Sequence, residues 1–83
     1  MELIYHNRVL KYLSRQDSSS QQRIYAALEG LKAWPPIGDI RKLKGTSGTF
    51  RLRIGSIRVI FVPNHADRTV YIQVIENRGE VYK

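Results

Sequence analysis

The chain of 83 residues contains no cysteine, so neither a disulfide framework nor a thiolate metal site is available, and a reducing cytosol suits it. No stretch approaches the roughly 18 apolar residues of a membrane span. The opening Met1-Glu2-Leu3-Ile4-Tyr5-His6 lacks the basic segment and apolar run of a secretory leader, and none is expected. Histidine is limited to His6 and His65, far apart and without spaced partners; each reads as a surface or turn residue. No G-x-S-x-G, Walker-type loop or carboxylate pair on one strand occurs. Metal-dependent hydrolysis and Ser or Cys nucleophilic catalysis are therefore disfavoured, and no metal or cofactor is expected. Acidic residues are scarce too. Seven Asp and Glu stand against fourteen Lys and Arg, for a net charge of +7 and a pI near 10.2.

That excess points to a polyanion, an anionic membrane surface or an acidic protein as partner. Nine of the fourteen cations are arginine, the side chain whose planar fork fits phosphate oxygens two at a time. No helix pairs a basic face with a broad apolar one, which argues against the membrane. Length and an apolar fraction of 42% fit one globular domain over residues 1–83.

The most informative stretch runs from Thr49 to Val62. Phe50, Leu52 and Ile54 alternate with Arg51 and Arg53, the period of a strand with one buried face. Gly55-Ser56 suits a two-residue type II′ hairpin turn, because glycine accepts positive φ at little cost. That turn fixes the register: Ile54 opposite Ile57, Arg53 opposite Arg58, Leu52 opposite Val59, Arg51 opposite Ile60, Phe50 opposite Phe61. Two arginines thus face each other, with a third two residues away on the same face. Like charges so placed cost about 0.2–1 kcal/mol. An ordinary solvated strand face also carries arginines, but a chain gripping phosphate has a reason to gather them.

Elsewhere the pattern predicts a first strand at Leu3-Ile4-Tyr5. A helix follows, capped by Asn7 and running to about Arg15, with Val9, Leu10 and Leu13 buried. Asp17 and the serine run start a second helix, where Ser19 and Gln22 fit a capping box. Its buried face carries Ile24, Ala27, Leu28 and Leu31. Gly30 weakens that helix, and Trp34-Pro35-Pro36 ends it. Ile37 to Asp39 reads as loop, Arg41 to Lys44 as basic and extended, and Pro63 to Arg68 as a turn cluster. Thr69 to Ile75 is rich in β-branched residues and reads as a strand. The expected fold is α+β: an N-terminal strand and an αα-hairpin packed on an antiparallel β-meander, in the order β-α-α-β-β-β.

Four runs in this order carry a family likeness: Lys42-Leu43-Lys44-Gly45, Phe50-Arg51-Leu52-Arg53-Ile54-Gly55, Ile57-Arg58-Val59-Ile60-Phe61, and Asn77-Arg78-Gly79-Glu80-Val81-Tyr82-Lys83. Together with the preceding αα-hairpin, the chain resembles the RelE branch of the RelE/ParE toxin superfamily over essentially its whole length. The resemblance implies a RelE-like microbial ribonuclease fold. It also implies a type II toxin that cleaves messenger RNA in the ribosomal A site through attack by the RNA's own 2′-hydroxyl, without a metal.

Under that likeness Arg51 and Arg53 match the family's basic strand pair, and Arg58 the arginine that stabilises the scissile phosphate. Arg78 matches the C-terminal arginine acting on the transition state or leaving group, and Tyr82 the tyrosine that stacks on or orients a base. Arg41, Lys42, Lys44 and Lys83 would add substrate contacts. A RelB-like antitoxin, ribosome and messenger RNA are the implied partners, with no membrane and no small-molecule cofactor, in the cytoplasm.

Well-known relatives carry lysines where Arg51 and Arg53 stand, and many carry histidine where Asn77 stands. Arginine is a poor general base, so proton transfer would fall to Tyr82, Glu76 or Glu80, or go uncatalysed. Other readings are a ParE-like toxin that poisons DNA gyrase, and a non-catalytic basic RNA- or ribosome-binding module.

Overall fold

The computed structural model describes residues 1–77. Its elements are β1 (Glu2–Tyr5), α1 (Asn7–Ser14), α2 (Ser18–Glu29), a 3₁₀ turn (Gly30–Lys32), β2 (Asp39–Lys42), β3 (Phe50–Ile54), β4 (Ile57–Asn64) and β5 (Thr69–Asn77). The α+β class is as expected, with one strand more. Asp39–Lys42 is a strand that begins inside the expected loop, because Ile40 opposite Leu52 gives it an apolar contact worth ordering.

The five strands form one sheet in the order β1-β5-β4-β3-β2. β2 through β5 make the antiparallel meander, while β1 pairs parallel to β5. The β3–β4 register matches the expectation pair for pair. Gly55 has φ of +61°, and Arg68 is the one described non-glycine residue with positive φ. Ser56 therefore has a negative φ, the type II′ pattern.

Both helices cover one side of the sheet. Val9 and Leu13 of α1, Ile24 and Leu28 of α2, and Leu31 meet Leu52, Ile54, Ile57, Val59, Phe61, Val70, Ile72 and Ile75. Each such side chain, fully buried, contributes about 1.5–3 kcal/mol. Phe50 stacks on Phe61 with ring centroids 5.7 Å apart. Leu10, expected inside, is 47% exposed, because the buried stripe of α1 is the i, i+4 pair Val9 and Leu13 and Leu10 lies about a quarter-turn off it.

Helix starts lie one or two residues from the expected caps. His6 rather than Asn7 caps α1, its Nδ1 accepting from the Arg8 N–H at 3.0 Å. Asp17 rather than Ser19 caps α2, its Oδ1 accepting from the Ser20 N–H at 2.7 Å. The α2 helix closes at Glu29, so Gly30 is no interior residue. A Cβ there would sit 2.5 Å from the Ile37 carbonyl oxygen, and this close approach requires glycine. Pro63 and Asn64 extend β4 into the expected turn cluster. There the Asn64 side chain accepts from the Asp67 N–H.

One irregularity shapes the site. Ile60 pairs with Val74 but Phe61 with Ile72, leaving Gln73 as an extra residue on β5. The bulged backbone is held from outside, since Arg8 Nε of α1 donates to the Gln73 carbonyl at 3.0 Å. A one-residue slip exchanges the faces of everything beyond it. Without it, Glu76 would oppose Ile57 on the covered face. With it, Ile75 enters the core and Glu76 faces out.

Candidate nucleic-acid interface

The sheet face that no described helix covers carries the arginines. Strand parity sends Arg51 and Arg53 of β3 and Arg58 of β4 to this side, opposite the buried Leu52, Ile54, Ile57 and Val59. Arg41 joins them because β2 pairs it with Arg51. The three hairpin arginines therefore converge as expected, and a fourth extends the patch.

The row through Arg53 and Arg58 is not simply repulsive. Asp39 pairs with Arg53, Arg53 with Arg58, and Arg58 with Glu76, so the row crosses four strands with a carboxylate at each end. Arg53 Nε donates to Asp39 Oδ2 at 2.9 Å. Arg58 donates to Glu76 Oε1 from Nε at 2.9 Å and also from Nη2. The self-repulsion expected from the hairpin alone is thus offset within the sheet, and Asp39 and Glu76 are functional candidates that strand alternation did not place there. Reading 39–42 as a strand would have found Asp39. Glu76 needed the bulge.

The second row is different. Arg41 and Arg51 face each other and belong to none of the ion pairs among the described residues. Arg51 Nε is shielded from solvent and without a hydrogen-bond partner. A buried donor left unmade costs about 1–3 kcal/mol, so this placement of Arg51 is a cost to the fold, while its charge has no counter-ion among the described residues. Beyond Arg51 the row continues into Ile60 and Val74, both half-buried, giving an apolar strip beside the charges.

The remaining basic residues are dispersed. Lys42 pairs with Phe50 and by parity belongs to the helix side, and Lys44 lies in the turn after β2. Arg78, Glu80, Tyr82 and Lys83 lie outside the described residues. The histidines stand apart from the arginine patch: His6 caps α1, and His65 packs edge-on against Trp34 at 4.3 Å. No described helix is long and apolar enough to cross a membrane.

A helix-backed sheet with an open guanidinium face defines a class of small basic protein suited to holding phosphates. Comparison narrows this further. No family model matches the chain. A curated relative, "Putative toxin RelE1" of Methanocaldococcus jannaschii, is 37% identical over 81 residues, covering 94% of this chain and 90% of that protein. The RelE of an archaeal RelE–RelB complex from Pyrococcus horikoshii superposes with a TM-score of 0.80 at 28% identity, covering 94% of both chains. The isolated E. coli RelE toxin gives 0.78 at 20% identity, covering 98% of this chain and 89% of its own. The chain belongs to the RelE toxin family.

Proposed function

We propose that the protein is a toxin that cleaves messenger RNA on the ribosome, with residues 1–83 acting as one domain in the cytoplasm under control of a RelB-like antitoxin. The observation carrying this reading is the gathering of Arg41, Arg51, Arg53 and Arg58 on the sheet face that no described helix covers. RNA cleavage needs no protein nucleophile: its 2′-hydroxyl attacks the adjacent phosphorus if the enzyme orients the chain and stabilises the phosphorane. Arg51 carries a charge with no counter-ion among the described residues to offer a phosphate, and Arg58 and Arg53 add charge where it develops. Ile60 and Val74 offer an apolar surface for an unstacked base. Arg78 and Tyr82 are assigned transition-state and base-stacking roles by family likeness. The RelB–RelE complexes among similar structures support an antitoxin partner.

In vitro translation with mapped message ends tests the reading. We expect codon-positioned cuts that need ribosomes and disappear in Arg58→Ala. Inhibition with intact message would overturn it, and loss of supercoiling activity in a gyrase assay would redirect it to DNA gyrase.

A further inference from the structure

We infer that Glu76 is the general base of the reaction, accepting the 2′-hydroxyl proton on the carboxylate oxygen that Arg58 leaves free. This rests on the ribonuclease reading above. Arg51, Arg53 and Arg58 stay protonated and cannot serve, and His6 Nδ1 is engaged in capping α1. The carboxylates in the arginine rows are Asp39 and Glu76. Both terminate the row, Asp39 on β2 with its side chain 44% exposed and Glu76 on β5 with its side chain 30% exposed, so Glu76 is the more shielded of the two.

The hydrogen-bond pattern gives Glu76 its particular fitness. Arg58 Nε and Nη2 both donate to Oε1. No hydrogen bond to Oε2 is made among the described residues, and Glu76 pairs with Arg58 on the arginine face. The guanidinium meanwhile uses only its Nε side, so its remaining Nη N–H groups stay available to a phosphate. One arginine can thus hold the scissile phosphate and the carboxylate together, bringing Oε2 beside the ribose of that phosphate.

The step balances. The O2′–P bond forms as the O2′ proton passes to Oε2. The P–O5′ bond breaks, O5′ takes a proton from water, the Glu76 carboxylic acid gives its proton back to the resulting hydroxide, and the products are a 2′,3′-cyclic phosphate and a 5′-hydroxyl.

The surroundings of Glu76 fit the assignment. Arg58 faces it from β4, with Arg53 and then Asp39 beyond. Tyr71 lies on its own strand, Arg8 reaches β5 from α1, and Glu2 of β1 pairs at the far end of β5 with Thr69. The Gln73 bulge is what turns Glu76 to this face, a local distortion maintained by Arg8.

The test compares the parent, Glu76→Gln and Glu76→Asp for single-turnover cleavage of a defined message on purified ribosomes, with thermal melting as the check on folding. Glu76→Gln should melt with the parent and reach half-saturation at the parent's concentration or below. Its maximal rate should fall about 10²-fold or more, within the 10²–10⁴ typical of general base catalysis. Glu76→Asp should recover part of that loss. A Gln variant cleaving at the parent's rate would overturn the inference and leave the ribonuclease reading standing. So would a loss seen only as weaker half-saturation, which would make Glu76 a positioning residue for Arg58. A parent that leaves the message intact on ribosomes would overturn both.

Discussion

At the residue scale, arginines adjacent on one face do different work because their neighbours differ. Arg53 and Arg58 have carboxylate partners, while Arg51 has Arg41 across the strand and a shielded, unpaired Nε. Arg51 is therefore costly to the fold and useful to a ligand. Arg51→Met keeps the straight side chain, removes the unmade donor and relieves a like-charge contact. We expect it to hold or raise stability, by up to about 1 kcal/mol, while weakening binding to single-stranded RNA. Urea unfolding and a binding titration check the two halves; a clear loss of stability would contradict the first. Arg51, Arg53 and Arg58 were legible from alternation and a two-residue turn, which together fix both face and register. Their counter-charges were not, because Asp39 sits in a strand of four residues whose burial pattern shows little alternation.

At the scale of elements, the hairpin and the helical stripes were legible because each is a local pattern enforced by burial. Caps were less so: Asn7, Ser18, Ser19 and Asp17 are all competent, and tertiary packing chooses among them. The parallel β1–β5 pairing had no local signal, since a four-residue strand can join either sheet edge in either sense. The Gln73 bulge was hidden as well, because Val70, Ile72 and Val74 alternate without a break in the sequence while the burial shifts to Ile75.

Gly30 separates local propensity from packing. Propensity favours alanine near a helix end by up to about 1 kcal/mol. The close approach of Ile37, whose N–H also donates to the Gly30 carbonyl at 3.0 Å, argues the reverse. Gly30→Ala should destabilise by about 1–3 kcal/mol, read by denaturant unfolding; a more stable variant would show that the 37–38 segment yields. Asp17 adds a pH-dependent contribution. The Ser20 backbone N–H and then its side chain hold the Asp17 carboxyl below its ordinary value of 3.8. A depressed folded value stabilises above the ordinary one, and that stabilisation disappears as pH falls through the folded value. Asp17→Ala should therefore melt lower than the parent at neutral pH, with the gap closing in acid below 3.8.

At the scale of the whole molecule, the described helices take one side of the sheet and the arginines the other, so under the proposed function stability and recognition use opposite faces of the same strands. A count of the arginines Arg41, Arg51, Arg53 and Arg58 then overstates the charge an RNA would meet there, because Asp39 and Glu76 neutralise part of the row they terminate. Binding to single-stranded RNA releases counterions according to the phosphates actually neutralised, with a slope of about −0.7 per contact in log K against log salt. Of the four arginines on this face, Arg41 and Arg51 are the two in no ion pair among the described residues, so Arg51→Ala should flatten the slope by about 0.7 and Arg53→Ala by less. Combining Asp39→Asn with Glu76→Gln should act oppositely, tightening binding and steepening the slope by up to about 1.4 as two arginines lose their internal partners. Filter binding of a short unstructured RNA across a salt series measures all three. Equal flattening by the two arginine variants, with no change in the double carboxamide, would mean that the carboxylates do not screen the face and that its charge is simply the sum of its arginines.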